Sequence, residues 1–282
     1  MNAQFLYLPH HCLGIKKNEA GLAGAFISLG AIFATTVSAG SVSITTAEGA
    51  KAYAAGLPYG VVRLLSGVVF SLGLILVIVG GAELFTGNTL IVMARASGKV
   101  STALLLRNWA IVYAGNLVGA VATAVVTFIG GQYQLGGGSV GLNALAIGDA
   151  KAGLDFLPAV ALGMLCNALV CLAVWLTFSA RTTTDRILAI VPPIAAFVAS
   201  GFEHSIANMY FIPQAMLIRA YAPDSLWAST GASASDYPNL TVDGLVGNLV
   251  PVTIGNIIGG AVMVGVVYWF VYLRPEKEAR DR

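Results

Sequence analysis

Long apolar stretches separated by short clusters of charge run the length of the chain. Residues 20–47, 108–148, 156–180 and 244–273 contain no Asp, Glu, Lys or Arg. Between Leu64 and Ala94 the only charge is Glu83, and between Ile187 and Ile218 only Glu203 and His204 break the pattern. A helix that crosses a bilayer needs roughly 20 apolar residues at about 1.5 Å each. The pattern predicts six spans, near 21–42, 64–94, 107–129, 156–180, 187–218 and 244–273, with GGQYQLGGGS as a loop after the third.

Two of these spans are too long. Leu64–Ala94 would run about 46 Å as one helix, against roughly 30 Å of hydrocarbon, and Ile187–Ile218 is similar. Tilt absorbs part of such an excess, but a break absorbs it better. Near the middle of each lies an octapeptide, GAELFTGN at 81–88 and GFEHSIAN at 201–208. Both open on Gly, place Glu third and end on Asn.

The likeness extends further. NWAIVYAGNLVGA at 108–120 and NLVPVTIGNIIGGA at 248–261 each place Asn seven residues before a Gly-Asn pair and Gly four residues after that Gly. A broken helix followed by a Gly-Asn helix therefore occurs twice. The repeats are expected at about 21–129 and 155–273, and with three spans each they must cross the bilayer in opposite senses. Gly115 with Gly119, and Gly255 with Gly259, form small faces that let helices approach closely.

Composition agrees with this picture. The chain has 282 residues, 57% hydrophobic and 10% charged, with mean hydropathy +0.81, whereas soluble domains carry about 25% charged residues. This is the composition of an all-α polytopic membrane protein, and it gives no basic patch for nucleic acid. Cys12, Cys166 and Cys171 have no metal-ligand spacing, so no metal and no cofactor are expected. Residues 1–20 lack the charged-then-apolar order of a secretory leader and are expected as a short cytoplasmic N-terminus. Lys and Arg divide 11 against 4 between the two sides, with Lys51, Arg63, Lys151 and Arg219 in the minority. That bias predicts both termini, including the tail 274–282, on the cytoplasmic side.

An ionisable group at mid-bilayer costs several kcal/mol unless it is paired or faces water. Unwound backbone is tolerated there only inside protein or along a cavity. Each break also exposes the N-terminus of the half-helix that follows, whose free N–H groups favour an anion. Thr86 and Ser205 are candidate capping hydroxyls at those ends. His204 is the only histidine beyond residue 11; it is a candidate hydrogen-bond or proton donor to a weak-acid anion. Glu83 and Glu203 are expected to support the breaks by accepting backbone N–H groups or pairing with Asn and Lys. Lys151 precedes the fourth span, either as a charge that draws anions or as a solvated loop lysine. Asn116, Asn167, Asn208 and Asn256 are expected as helix–helix contacts or pore lining.

The motifs GAELFTGNTLIV, NWAIVYAGNLVGA, NALVCLAVW, ASGFEHSIANM and VTIGNIIGG resemble the formate/nitrite transporter family across about residues 20–273. The resemblance implies an aquaporin-like fold of six helices in a bacterial cytoplasmic membrane. It also implies a homopentamer with one pore per protomer, passing small monovalent anions with protons in some conditions. By motif, His204 matches the family's central pore histidine and Thr86 its hydroxyl partner; Asn167 and Asn256 are also expected in the substrate pore. Phe70, Leu74, Phe197, Leu84, Phe85 and Val170 match bulky apolar positions, expected to form constrictions either side of the histidine. Formate is the first expected substrate; nitrite, hydrosulfide and lactate are the alternatives. Family members often carry a longer N-terminal helix than the roughly 20 residues that precede the first span here. Of other classes, a membrane enzyme would need a metal cluster or a nucleophile–base pair, and the spans offer one histidine and no H-E-x-x-H spacing. A water channel would carry paired Asn-Pro-Ala signatures, and an ammonium channel two pore histidines.

Overall fold

The structure is a computed structural model that describes residues 17–40, 42–45, 51–55 and 57–274. Most of the N-terminal segment, and the tail beyond Arg274, expected on the cytoplasmic side, lie outside the described residues. Helix α1 runs over Lys17–Ser38 and is followed by a two-stranded antiparallel ribbon, β1 Val42–Thr45 and β2 Lys51–Ala55. The remaining elements are helical. Apart from short 3-10 helices at Thr89–Ile91, Gln132–Gln134 and Ala234–Asp236, they are α2 Tyr59–Gly80, α3 Phe85–Asn88, α4 Val92–Ala96, α5 Thr102–Ile129, α6 Ser139–Ala152, α7 Phe156–Thr177, α8 Thr183–Ala199, α9 Ser205–Tyr221, α10 Asp224–Thr230 and α11 Val242–Ile257. Helix α11 continues in wider, π-type turns over Ile258–Val266 and Trp269–Leu273.

Among the described residues, five helical stretches are long and apolar enough to cross a membrane: Glu19–Ser38, Tyr59–Gly80, Thr102–Ile129, Phe156–Thr177 and Val242–Leu273. Helices α8 and α9, of 17 residues each, follow one another across a break. Both overlong windows are thus interrupted, at Gly81–Leu84 and at Ser200–His204. Helix α2 starts five residues earlier than the charge-free window because it includes Arg63, whose guanidinium is held by backbone carbonyls. Helix α8 likewise starts before Arg186, on the Thr182 capping box. The ribbon and α6 were not legible in the pattern. The segment GGQYQLGGGS ends at the first residue of α6, with Gly136, Gly137 and Gly138 at positive φ.

The polarity of the molecule is reversed relative to a water-soluble globule. Val118, Val126, Ile129 and Leu157 stand exposed on the outside, while Asn108, Asn116, Asn167, Asn208, Asn248 and Asn256 are all 0% exposed. Lipid tolerates the first arrangement, and hydrogen bonds support the second: among the described residues each of the six amides has at least one partner, with only Asn108 Nδ2 and Asn208 Oδ1 among their atoms left unpaired. Helix α1 packs on α2 and α5; α7 packs on α8 and α11. The close approach expected of the glycine faces is present. A Cβ on Gly119 would stand 2.0 Å from the carbonyl oxygen of Gly21 in α1, and one on Gly259 would stand 2.1 Å from that of Met164 in α7.

Candidate functional site

The two breaks are built alike. Helix α2 ends at Gly81 with φ 75° and α8 ends beyond Ser200 at Gly201 with φ 73°, a left-handed conformation that glycine adopts without strain. After Gly81 the chain is clasped by Asn116 of α5. Its Oδ1 accepts the Phe85 N–H at 3.0 Å, and its Nδ2 donates to the carbonyls of Ala20 at 2.7 Å and Glu83 at 2.9 Å. After Gly201 the same clasp is made by Asn256 of α11. Its Oδ1 accepts the Ser205 N–H at 3.0 Å, and its Nδ2 donates to Gly163 at 2.8 Å and Glu203 at 3.0 Å. One amide side chain carries one acceptor and two donors at fixed angles, which suits a stretch of unwound backbone.

The glutamates are held in the same symmetric way. Asn88 Nδ2 donates to Glu83 Oε2 and, at 3.0 Å, to Asn108 Oδ1. Asn208 Nδ2 donates to Glu203 Oε2 at 2.6 Å and to Asn248 Oδ1 at 2.7 Å. Lys151 Nζ reaches Glu203 Oε1 at 2.7 Å, and the Lys151 carbonyl accepts from Asn248 Nδ2 at 2.8 Å. Each glutamate is thus held by an Asn amide, and Glu203 by Lys151 as well; Asn108 and Asn248 are additions to the sequence reading. Their place seven residues before the Gly-Asn pair was the signal: it brings them two turns along the same helix face.

The breaks meet at one pair of side chains. His204 Nε2 lies 3.2 Å from Thr86 Oγ1, and both residues are buried, at 3% and 0% exposure. His204 Nδ1 accepts the Ala207 N–H at 3.1 Å, so the ring itself caps α9. An imidazole whose Nδ1 accepts carries its proton on Nε2. The bond to Thr86 therefore runs from His204 Nε2–H to the hydroxyl oxygen, which leaves the hydroxyl proton of Thr86 available. The expected caps are corrected accordingly: α3 has no side-chain cap, and the cap of α9 is His204 rather than Ser205.

One cavity reaches His204, and a second is lined by Leu84 and Gly87 beside Thr86 in the chain. The first, of about 450 Å³, is lined by Arg63, Phe70, Lys151, Phe197, Glu203 and His204. The second, of about 580 Å³, is lined by Leu74, Leu84, Glu83, Asn88, Thr177 and Arg186. Phe70 and Phe197 meet edge to face at 5.6 Å, and Phe197 stacks on His204 at 6.0 Å. Leu74 and Leu84 line the other cavity. Phe85 turns away against Trp109 and Tyr113, and Val170 is buried; neither lines either of these two cavities. Asn256 and Asn167, expected in the pore lining, stand behind it. Asn256 is consumed by the clasp, and Asn167 Nδ2 donates to Asn256 O at 2.6 Å and to Thr86 O at 3.2 Å. Unwound backbone beside a cavity leaves carbonyls that need donors, and these amides supply them. Asn167 thereby ties the peptide of Thr86 to the clasp of the other break. Among the described residues no group of His, Cys, Asp and Glu has the arrangement to hold a metal ion.

Comparison with known proteins identifies the architecture. The family model described as formate/nitrite transporter matches residues 18–270. The chain is 45% identical over 253 residues to the formate channel FocA of Escherichia coli K12, covering 89% of this chain and 84% of that protein. It is 36% identical over 269 residues to a probable formate transporter of Methanothermobacter thermautotrophicus, covering 90% and 87%. A solved pentameric formate channel with formate bound superposes with a TM-score of 0.82 at 47% identity, covering 92% of this chain and 96% of that one. The chain belongs to the formate/nitrite transporter family.

Proposed function

We propose that this member of the formate/nitrite transporter family is a membrane channel for small monovalent anions, formate first, and not an enzyme. One observation carries the reading: a buried His204–Thr86 hydrogen bond joins the two breaks, with one cavity reaching His204 and a second lined by Leu84 and Gly87, next to Thr86 in the chain. Formate channels among the relatives support the substrate, and a solved pentameric relative supports a homopentamer. The likeness of the two clasps supports six spans in a 3+3 inverted, aquaporin-like repeat, with α8 and α9 together as the fifth. Arg63 and Lys151 in one cavity and Arg186 in the other fall on opposite sides of the charge division. That placement supports both termini on the cytoplasmic side of a bacterial inner membrane.

In this reading Lys151 favours anions at one mouth and Arg186 at the other. A bare anion loses heavily on entering an apolar neck, and a neutral acid much less. At the pair the anion meets the free hydroxyl proton of Thr86 and the Nε2–H of His204. Complete proton transfer requires Nδ1 to take up a proton, and to do so it must release the Ala207 N–H. Proton coupling is thus tied to loosening the first turn of α9. Hydrogen-bond donation alone asks for no such change.

The test is flux in proteoliposomes with formate, nitrite, hydrosulfide, lactate and glycerol at two pH values, against His204→Ala. Formate flux that depends on His204, with no glycerol flux, supports the reading. Glycerol passing while formate and nitrite do not would overturn it. A hydrolytic alternative has one sequence feature in its favour, the G-x-S-x-G spacing of GGSVG at 137–141. There Ser139 simply opens α6 on a glycine turn, and His204 lies at the breaks.

A further inference from the structure

The end of α8 is held by a residue that the pore motifs do not include. A helix that stops inside the protein leaves its last carbonyls without intrahelical donors. Two of these are closed by the chain itself. Gly201 N–H donates to Val198 O and Phe202 N–H to Phe197 O, each at 3.1 Å. The guanidinium of Arg63, from α2, completes the set. Its Nη2 donates to Val198 O, and its Nε donates to Ala199 O at 3.3 Å. The break after α2 has the same kind of backbone closure, with Ala82 N–H donating to Val77 O at 2.9 Å. Among the described residues, however, no side chain bonds to the carbonyls of Ile78 or Val79. The arginine clamp is therefore specific to the break that presents His204.

The clamped carbonyls belong to the two residues directly after Phe197. That ring meets Phe70 at 5.6 Å and His204 at 6.0 Å in the cavity that Arg63 also lines. A planar guanidinium fork fixes the direction of two neighbouring carbonyls together, which a single-point donor does less well. A cation at the C-terminal end of a helix is also favoured by the aligned peptide dipoles.

We propose that Arg63 is a positioning residue for selective passage. It fixes the last turn of α8, and through it the Phe70–Phe197 neck and the approach to His204, instead of serving chiefly as a docking charge for the anion. The proposal rests on the channel reading above, so its test includes a readout that needs no substrate.

Wild type, Arg63→Met, Arg63→Gln and Arg63→Lys are purified as assembled oligomers. Amide hydrogen exchange is followed in peptides covering 197–204 and 77–84. Formate and lactate flux is measured in proteoliposomes at low and high salt. The expectation for Arg63→Met is faster exchange in 197–204 with 77–84 unchanged. The lactate-to-formate flux ratio should rise on the order of tenfold, the scale of one lost hydrogen bond to a charged group. Arg63→Lys, which keeps the charge but loses the fork, recovers the ratio only in part. If Arg63→Met does not assemble, Arg63→Gln, which keeps one short donor, is read by the same criteria. Unchanged exchange in 197–204 overturns the proposal. So does an equal fall in both fluxes that high salt abolishes, since that marks attraction alone. If wild type passes neither anion, the channel reading fails, and the exchange data still decide whether Arg63 holds the break.

Discussion

His204 and Thr86 lie 3.2 Å apart although they stand on different broken helices, and the bond between them has one direction. It is set by Ala207, whose N–H occupies His204 Nδ1. Helix capping and pore chemistry are thus joined in one ring. Removing the Thr86 oxygen leaves a buried Nε2–H without a partner, at about 1–3 kcal/mol, and takes away the free hydroxyl proton. Thr86→Val is expected to lower formate flux by roughly tenfold or more per assembled channel, with Thr86→Ser close to wild type. Proteoliposome uptake normalised to assembled oligomer checks this; a Val variant with normal flux would remove Thr86 from the pathway.

His204 separates two roles according to its replacement. Asn is a strong N-cap and Ala is not, so His204→Asn is expected to keep the α9 cap and His204→Ala to lose about 1 kcal/mol of stability. Both lose the titratable ring. Formate uptake in His204→Asn is therefore expected to lose its coupling to an imposed proton gradient, whereas wild-type uptake responds to one. Uptake with and without the gradient and thermal unfolding in detergent give the two readouts. A His204→Asn response that matched the wild type would show that the histidine does not couple protons.

The asparagine clasps are expected to dominate stability. Asn116→Ala strands the Phe85 N–H and the Glu83 carbonyl and removes the second donor on the helical carbonyl of Ala20; Asn256→Ala strands the Ser205 N–H and the Glu203 carbonyl and removes the second donor on that of Gly163. At about 1–3 kcal/mol for each buried group left unpaired, each variant should unfold at clearly lower temperature, and the two by similar amounts. Thermal melts of the detergent-solubilised oligomer test this. A small effect for either would mean that water replaces its amide.

Helix approach supplies a steric test with an internal control. Gly259→Ala would press a methyl group against the Met164 carbonyl, 2.1 Å from the Cβ position, whereas a Cβ on Gly247 in the same helix meets nothing within 4 Å. Gly259→Ala is expected to abolish or sharply reduce the yield of folded protein. Gly247→Ala should be neutral or stabilising by up to about 1 kcal/mol, the helix propensity difference. Yield after size-exclusion chromatography distinguishes them.

Much of this site was legible because its signal is local. Excess apolar length and a polar octapeptide mark each break, and the duplicated Gly-Asn helix marks its clasp. What escaped depends on direction in space. Asn256 and Asn167 read as polar residues in apolar helices, and only the fold shows that their amides face broken backbone and not the cavity. Phe85 matches a bulky constriction position, yet at the first residue of α3 it turns toward Trp109 and Tyr113. Arg63 was hidden by the rule that found the spans: a charge ended the window, although its guanidinium is satisfied by Ala199 and Val198. Helix α6 was missed because the glycines before it suppress any periodic pattern.

The shared clasp separates what each half must keep from what it is free to change. Asn116 and Asn256 grip only main-chain atoms, so neither depends on which side chain the broken segment presents. Once a chain holds two such grips, one half can exchange its central residue while the other stays fixed, and the backbone need not be redrawn. Thr86 and His204 occupy different positions within otherwise matching segments, the outcome such independence permits. A duplicated scaffold of this kind can diverge in selectivity by single substitutions at its centre.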